Sequence, residues 1–442
     1  MEQSRDGTAA QGSFKPTQAF LNGLFRSAIA AAHPTTCLAT RLPTPPATGR
    51  LILLAAGKAA SSMTEVAERH YLEQLGLPVD RLGGLAVTRH GYGRPTRRIE
   101  IVEAGHPVPD AAGLAAAMRI LDFAGAASAG DLVLVLMSGG ASANWIAPAP
   151  GLSFADKQAV TRALLRSGAT ISEMNTVRKH LSLIKGGRLA LRASPARIMT
   201  LAISDVPGDD PAVIGSGPTV PDPSTLADAR TVIARYRLEI PAAVARALDD
   251  PSNETPKPGD PVFAATSFDL VARPADAFRA AEAAVRAAGY ECIVLGDRIE
   301  GEARAVAAEH AQRALALKAQ GARAVILSGG ELTVTIRGHG RGGPNQEYAL
   351  ALAIALGGAS GIAALAGDTD GTDGGGGTSD DPAGAMVDPG TLGRARALGL
   401  DPAQFLADND STGFFEQIGD LVATGPTCTN VNDFRAILVD RL

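Results

Sequence analysis

The sequence predicts an α/β protein of two domains, and three observations carry that reading. Short apolar runs rich in Val, Ile and Leu alternate along the chain with long Ala-rich stretches, the pattern of helices layered on parallel strands. The length of 442 residues exceeds what one core ordinarily fills. Between Leu248 and Pro261 the sequence becomes "LDDPSNETPKPGDP", polar and without hydrophobic period, so the boundary is expected there. Residues 1–14 are polar and lack the basic and apolar regions of a signal peptide, which marks them as a disordered lead-in. The first domain is then expected over 15–250 and the second over 262–442.

In the first half, "RLILLAAGKAA" opens as a buried strand and passes through Gly57 and Lys58 into the helix "ASSMTEVAERHYLEQLG". "GGLAVTRHG" and "RRIEIVEAGHPVPD" read as further strands, and "DLVLVLMSGG" as a strand buried on both faces. Two helices follow, "SFADKQAVTRALLRSGA" and "ISEMNTVRKHLSLIKGGRLAL", each opened by a serine able to cap the first turn. The strand "RIMTLAISDVPGDD" closes this half. The second half repeats the alternation: helix "PADAFRAAEAAVRAAG", strand "ECIVLG", helix "GEARAVAAEHAQRALALKAQG", strands "RAVILSGG" and "ELTVTIRG", helix "NQEYALALAIAL" and strand "GIAALAGDTDGTDGGGG".

Composition excludes several classes of function. A net charge of −5, without a basic stripe, leaves nothing to neutralise a nucleic-acid backbone, so no nucleic-acid partner is expected. Cys37, Cys292 and Cys428 stand far apart with no CxxC, which argues against a disulfide framework or a zinc knuckle. No apolar run reaches the roughly 20 residues of a membrane span. The protein reads as cytoplasmic, without a membrane partner, and a homodimer is left open.

Ligands of open α/β sheets bind where loops leave the carboxyl ends of the strands. That rule selects Lys58, Ser138, Gly139, Gly140, Ser142, Asp205, Ser328, Gly329, Gly330, Glu331, Arg341 and the stretch Asp368–Asp373. Lys58 stands out because the chain has seven lysines against 34 arginines. A compact ammonium meets a phosphate as a point charge, a reason to keep Lys where Arg is the rule. The Ser-Gly-Gly runs permit close backbone approach and offer N–H groups and hydroxyls to an anion, although tight turns also use Gly for geometry alone.

"EMNTVRKHLSLIKGGRLA" places Asn175, Arg178, Lys179, His180, Lys185 and Arg188 on one predicted helix. Met174, Val177, Leu181 and Ile184 form its apolar face, while Asn175, Arg178 and Ser182 share another. A solvated polar face is the plain alternative for Lys179 and Arg188, and a structural role for His180. In "GDTDGTDG", Asp368, Asp370 and Asp373 lack the spacing of a calcium loop but could hold Mg²⁺ through water and substrate phosphates, or form turns.

"GHGRGGPNQE", from Gly338, satisfies G-x-G-x-x-G between a predicted strand and a predicted helix, with Asp368 near the distance at which a dinucleotide site places its acidic residue. Against that reading, Arg341 and Pro344 crowd the turn where pyrophosphate would need bare backbone. The loop reads as an anion clamp built on Arg341, with Asn345 following.

"GKAA" at Gly57, "AGHPVPD" at Ala104, "SGGASA" at Ser138, "NTVRKHLSLIKGGRLA" at Asn175, "SDVPGDDPAVIGSGPTVPDPST" at Ser204, "SGGELTVTIRGHGRGGPNQE" at Ser328, "GDTDGTDG" at Gly367 and "ATGPTCTNVNDFR" at Ala423 together resemble the class II glycerate kinases. The resemblance spans nearly the whole chain. It implies two three-layer α/β domains, a larger Rossmann-like N-terminal one and a smaller C-terminal one of MOFRL type, with the active site in the cleft between them. It also implies ATP-dependent phosphorylation of D-glycerate at the 2-hydroxyl, with Mg²⁺. Lys58 and Arg341 match the two residues that the family pattern makes catalytic. This chain departs from the pattern at Ala141, where a third glycine is usual, and at Asn144-Trp145, where small apolar residues are usual.

On this reading Lys58 neutralises the transferring phosphoryl group, and Arg341 contacts that group or the carboxylate. Asp205, with Asp368 or Asp370, holds Mg²⁺ or orients the attacking hydroxyl. Two alternatives remain: an NAD(P)H-dependent hydroxypyruvate reductase, a label that relatives have carried, and a carboxylate sensor without turnover.

Overall fold

A computed structural model describes residues 6–374 and 378–440, and the chain divides into two compact units. The middle unit is Pro34–Ala272; the terminal unit joins Met1–His33 to Arg273–Leu442.

The middle unit is built on six strands: β1 (Leu51–Ala56), β2 (Leu82–Arg89), β3 (Glu100–Ala104), β4 (Leu132–Met137), β5 (Arg197–Ile203) and β6 (Thr266–Ala272). All pair in parallel, in the order β3-β2-β1-β4-β5-β6. β1 and β4 are buried along their whole length, as strands covered by helices on both faces must be. Leu54 and Val135 pack with Ile120 of the helix Ala111–Gly125, Trp145 and Leu189 in one core cluster. A second cluster, including Val160, Val177, Leu226 and Val244, joins the helices Phe154–Arg166, Ile171–His180, Leu226–Arg235 and Ala242–Asp249.

The boundary lies later than 248–261. "TSFDLVA" forms β6, which pairs with β5 and extends the first sheet to Ala272. The Pro-rich stretch before it is folded into the same unit: the Asn253 amide donates to the Ala247 carbonyl at 2.9 Å, and the Thr255 hydroxyl to Asp222 at 3.1 Å. β6 escapes a sequence reading because it is an edge strand, half-buried for most of its length.

The amino end also falls elsewhere than expected. A helix runs over Asp6–Ala32, beginning inside the stretch 1–14 read as a disordered lead-in, and residues 1–5 lie outside the described residues. It packs in the terminal unit, where Phe20 stacks on Tyr290 with ring centroids 5.4 Å apart and Phe25 lies 5.9 Å from Phe434. The Thr429 hydroxyl donates to the Ala32 carbonyl at 2.7 Å.

The terminal unit contains β7 (Glu291–Gly296), β8 (Gly301–Glu302), β9 (Ala324–Gly330), β10 (Leu332–Thr333), β11 (Ile362–Asp368), β12 (Gly384–Val387), β13 (Leu421–Val422) and β14 (Asp433–Val439). Its main sheet runs β13-β12-β11-β14-β9-β7, and β8 and β10 form a separate pair. Only β7 and β9 are parallel within the main sheet. The expected parallel layering therefore fails here, because the C-terminal β14 inserts antiparallel between β11 and β9. The strand expected from "ELTVTIRG" shrinks to two residues. The helix Pro344–Leu356 is buried from Asn345 to Ala353, as its apolar circumference requires. Among the described residues no helix is long and apolar enough to cross a membrane.

Candidate active site

In the middle unit the strand order reverses between β1 and β4, so the connections leaving these neighbours run to opposite sides and open a crevice at their carboxyl ends. Gly57-Lys58 and Ser138-Gly139-Gly140 leave those two ends. The Lys58 amide donates to the Gly139 carbonyl at 2.8 Å, the Ala59 amide to Ser138 Oγ at 2.9 Å, and the Ser138 amide to the Ala56 carbonyl at 3.1 Å. Gly57 sits at φ +116°, and a Cβ there would come within 2.4 Å of both Ser138 oxygens. At Gly140, also at positive φ, a Cβ would stand 2.9 Å from the His106 ring and 3.4 Å from the Lys58 stem. Lys58, His106 and the Ser138–Gly140 turn are thus neighbours. Asp205 leaves the carboxyl end of β5, next to β4, and is half-buried.

A cationic group lies beside this turn. The predicted single helix is broken. Thr170, not a serine, caps Ile171–His180 through a capping box with Glu173, and a second short helix begins at Arg188. Between them Ser182 Oγ accepts from the Ile184 and Lys185 amides, and Gly186 and Gly187 take positive φ. Lys185 therefore sits on a loop, and its ammonium donates to Ser142 O at 2.8 Å and Ser142 Oγ at 2.9 Å. Arg178 donates to the same hydroxyl at 3.2 Å, and Ser142 and Ser216 share a hydrogen bond of 2.9 Å. Lys157 donates to the carbonyls of Arg178 and Leu181 at 2.8 and 2.9 Å, closing the carboxyl end of the helix. Burial pushes the Lys185 and Lys157 ammonium groups well below their ordinary range, and the Arg178 charge adds to both. Asn175 is buried on the same helix, three residues before Arg178.

The neighbouring charges are structural. Lys179 pairs with Asp222 at 3.4 Å and His180 with Glu254 at 3.0 Å, while Arg188 donates to the Ser252 and Glu254 carbonyls at 3.3 Å. His106, Ser216 and Lys157 were missed in the sequence. Lysine scarcity, the argument that singles out Lys58, applies equally to Lys157.

In the terminal unit, the loop carrying Arg341 is stapled to the turn at 408–412. Asn409 Oδ1 accepts from the Arg337 and Gly338 amides at 2.7 and 3.0 Å, Asp410 Oδ1 from the Arg341 amide at 3.0 Å, and the Thr412 amide donates to the Arg341 carbonyl at 2.9 Å. The glycines serve this contact: a Cβ on Gly338 would lie 2.3 Å from the Asp408 carbonyl, and one on Gly340 2.2 Å from Asp410 Cβ. β10 before the loop and β11 after the helix belong to different sheets, so the βαβ unit of a dinucleotide site is missing. The Arg341 guanidinium is exposed and pairs with Glu416 at 2.8 Å.

The second Ser-Gly-Gly run differs from the first. Ser328, Gly329 and Gly330 lie inside β9, buried, rather than in an open loop. Cβ atoms there would strike the Phe278 ring at 2.7 Å and the Ile299 amide at 2.2 Å, so packing accounts for both glycines. Glu331 is exposed. Asn345 is buried, its side-chain amide donating to Asp373 at 3.2 Å and Asp433 at 2.6 Å. Burial, with the Asp433 charge behind it, pushes the Asp373 carboxyl up to about 7.

Asp368 and Asp370 serve turns. Asp368 Oδ1 accepts from the Asp370 amide at 2.9 Å, and Asp370 Oδ1 from the Thr372 amide at 2.7 Å and hydroxyl at 3.0 Å. The strand expected to run through the following glycines ends at Asp368, and residues 375–377 lie outside the described residues. Among the described residues no three His, Cys, Asp or Glu side chains are grouped to hold a metal ion. One or two carboxylates fit a Mg²⁺ that arrives on a nucleotide and keeps phosphate and water ligands, not a resident metal cage.

Residues 20–249 match the family model described as Domain of unknown function (DUF4147), and residues 324–433 match the MOFRL family. A protein of Agrobacterium vitis, provisionally named hydroxypyruvate reductase, is 50% identical over 425 residues, covering 95% of this chain and 94% of its own. The D-glycerate 2-kinase of Thermotoga maritima is 40% identical over 389 residues, covering 87% of this chain and 89% of its own. The crystal structure of a glycerate kinase from Thermotoga maritima superposes with a TM-score of 0.83 at 36% identity, covering 96% of this chain and all of that one.

Proposed function

The chain belongs to the glycerate kinase family, in which a DUF4147 domain is followed by a MOFRL domain, and from that premise we propose that it transfers the γ-phosphoryl group of ATP to the 2-hydroxyl of D-glycerate. The observation that carries the reading is the turn pair at the reversal between β1 and β4. It puts a lysine and a small hydroxyl together, on turns fixed by their own amides, where an open sheet receives an anionic ligand.

The glycerate 2-oxygen forms a bond to the γ-phosphorus as the bond to the β-phosphate bridge breaks; ADP leaves, and the hydroxyl proton passes to the transferred phosphoryl group or to water. In the loose transition state of phosphoryl transfer, positioning and charge neutralisation supply most of the rate, so no strong base is needed. We assign Lys58 and Arg341 to neutralise the transferring group and Asp205 to orient the attacking hydroxyl. Ser142, Asn175, Arg178 and Lys185 hold anionic groups. Mg²⁺ brought in by ATP would be held by the phosphates with Asp368 or Asp370, and supplies charge neutralisation when bound. The enzyme is proposed to work in the cytoplasm.

The name on the Agrobacterium vitis relative favours a second reading, reduction of hydroxypyruvate, but the dinucleotide unit that hydride transfer would use is missing at the G-x-G-x-x-G loop that begins at Gly338. NMR of the product formed from ATP, Mg²⁺ and D-glycerate tests the proposal: phosphorus coupled to the C2 proton is expected. Enzyme-dependent oxidation of NADH by hydroxypyruvate, with no phosphorylated product, would replace it.

A further inference from the structure

Arg178 and Lys185, with Lys157 beside them, are buried basic groups of the middle unit held by hydroxyls and carbonyls. On the same segment Lys179 meets Asp222 and His180 meets Glu254, while Arg188, like Lys185, meets backbone carbonyls. Lys185 is only 1% exposed, yet among the described residues neither it nor Arg178 forms an ion pair with a carboxylate. Both spend their hydrogen bonds on Ser142, and a third buried ammonium, Lys157, adds to the same field. A buried cation without a counter-ion is costly, and two side by side more so. Such an arrangement persists where an anion supplies the missing charge.

We infer that Arg178, Lys185 and Ser142 are the seat of the substrate's carboxylate, and that they make the enzyme select hydroxy acids over neutral polyols. The inference rests on the kinase reading and adds to it which group is read, and by what. The planar fork of Arg178 beside a point-charge lysine fits the oxygens of a carboxylate and of a phosphate alike, so burial decides between them. The depth of Lys185 suits a small anion that sheds its water, whereas a nucleotide chelating Mg²⁺ stays hydrated. Ser142, held from one side by Ser216, keeps the two cations converging on one point.

The test is calorimetric titration of the full chain with D-glycerate and, separately, with glycerol, which keeps the hydroxyls but lacks the charge, in the presence of a non-hydrolysable ATP analogue. D-glycerate should bind and glycerol should not. Arg178→Met should weaken D-glycerate binding by about 10- to 100-fold, the range of a hydrogen bond to a charged group. In turnover the same variant should raise the D-glycerate KM with little change in kcat or in the ATP KM, and Arg178→Lys should recover part of the loss. Lys185→Met repeats the experiment independently should Arg178→Met fail to fold. A raised ATP KM with unchanged D-glycerate affinity in either variant would assign these cations to the nucleotide and overturn the inference, as would unchanged affinity for both. The kinase reading fails separately: wild-type protein that binds D-glycerate but yields no phosphorylated product leaves the carboxylate seat standing.

Discussion

The Lys58 amide donates to the Gly139 carbonyl at 2.8 Å, and this bond ties the loop leaving β1 to the loop leaving β4. The approach it requires is what excludes a side chain at Gly57, where a Cβ would strike two oxygens of Ser138 at 2.4 Å with the backbone at φ +116°. Gly57→Ala should therefore cost about 1–3 kcal/mol of stability through backbone strain and forced separation of the loops. Turnover should fall further than stability alone explains, because Lys58 and Ser138 lose their common frame. Urea unfolding and kcat on the same preparation check both, and an alanine variant equal to wild type in both would show that the turn tolerates a side chain.

Lys58 itself is half-buried, and its backbone amide helps to fix the turn. Lys58→Ala should lower kcat by roughly 10² or more through lost transition-state charge stabilisation while the unfolding midpoint stays near that of wild type. Lys58→Arg should not restore the rate, because a planar fork does not occupy the place of a point charge. Steady-state kinetics with saturating ATP and D-glycerate give the comparison, and turnover near wild type in the alanine variant would remove Lys58 from the chemistry.

Arg341 is anchored by its backbone, while its side chain pairs on the surface with Glu416 at 2.8 Å. Exposed pairs contribute about 0–1 kcal/mol, so Arg341→Gln should unfold within roughly that margin of wild type. Its kcat should nevertheless fall by about 10² or more if the guanidinium neutralises the transferring phosphoryl group. Glu416→Gln, which releases the arginine, should retain full turnover. A large stability loss with unchanged kcat in Arg341→Gln would make this arginine a structural residue.

How legible was this in the chain? Lys58 and the Ser138 turn were, because strand-Gly-Lys and strand-Ser-Gly-Gly are local patterns whose chemistry and geometry coincide. The neighbourhood of Lys185 was not: its partner Ser142 stands 43 residues away, and the break after His180 is hidden in a sequence whose apolar period runs on through Ile184. The same letters misled at Ser328, where the glycines answer to Phe278 and Ile299 from other elements. The insertion of β14 between β11 and β9, and the docking of the Asp6–Ala32 helix among residues beyond 273, are long-range pairings that no local period encodes.

Magnesium should matter for turnover and not for folding. No three carboxylate, His or Cys groups gather as a cage among the described residues, and Asp368 and Asp370 are occupied with their own turns. EDTA should therefore abolish phosphoryl transfer while leaving the thermal midpoint of the ligand-free protein unchanged. A midpoint that drops on chelation and recovers with added Mg²⁺ would point to a resident metal instead.

His310 sets a pH dependence of stability whose sign can be worked out. The ring is 2% exposed, hydrogen-bonded through Nδ1 to the Tyr348 hydroxyl at 2.8 Å. Burial, and then the Arg435 charge, push its pKa down from 6.5 to about 4. In the folded protein it stays neutral down to about 4, whereas the unfolded chain takes up the proton from 6.5 downward. The unfolded state thus binds more protons inside this window, so the contribution is whole above the upper value and is lost as pH falls through it. The full shift corresponds to a loss on the order of 3 kcal/mol. His310→Gln keeps a polar partner for Tyr348 but has no proton to gain. Urea midpoints at about pH 7.5 and about pH 5 should fall more for wild type than for the glutamine variant. Equal losses in the two proteins would mean that His310 is charged inside the fold.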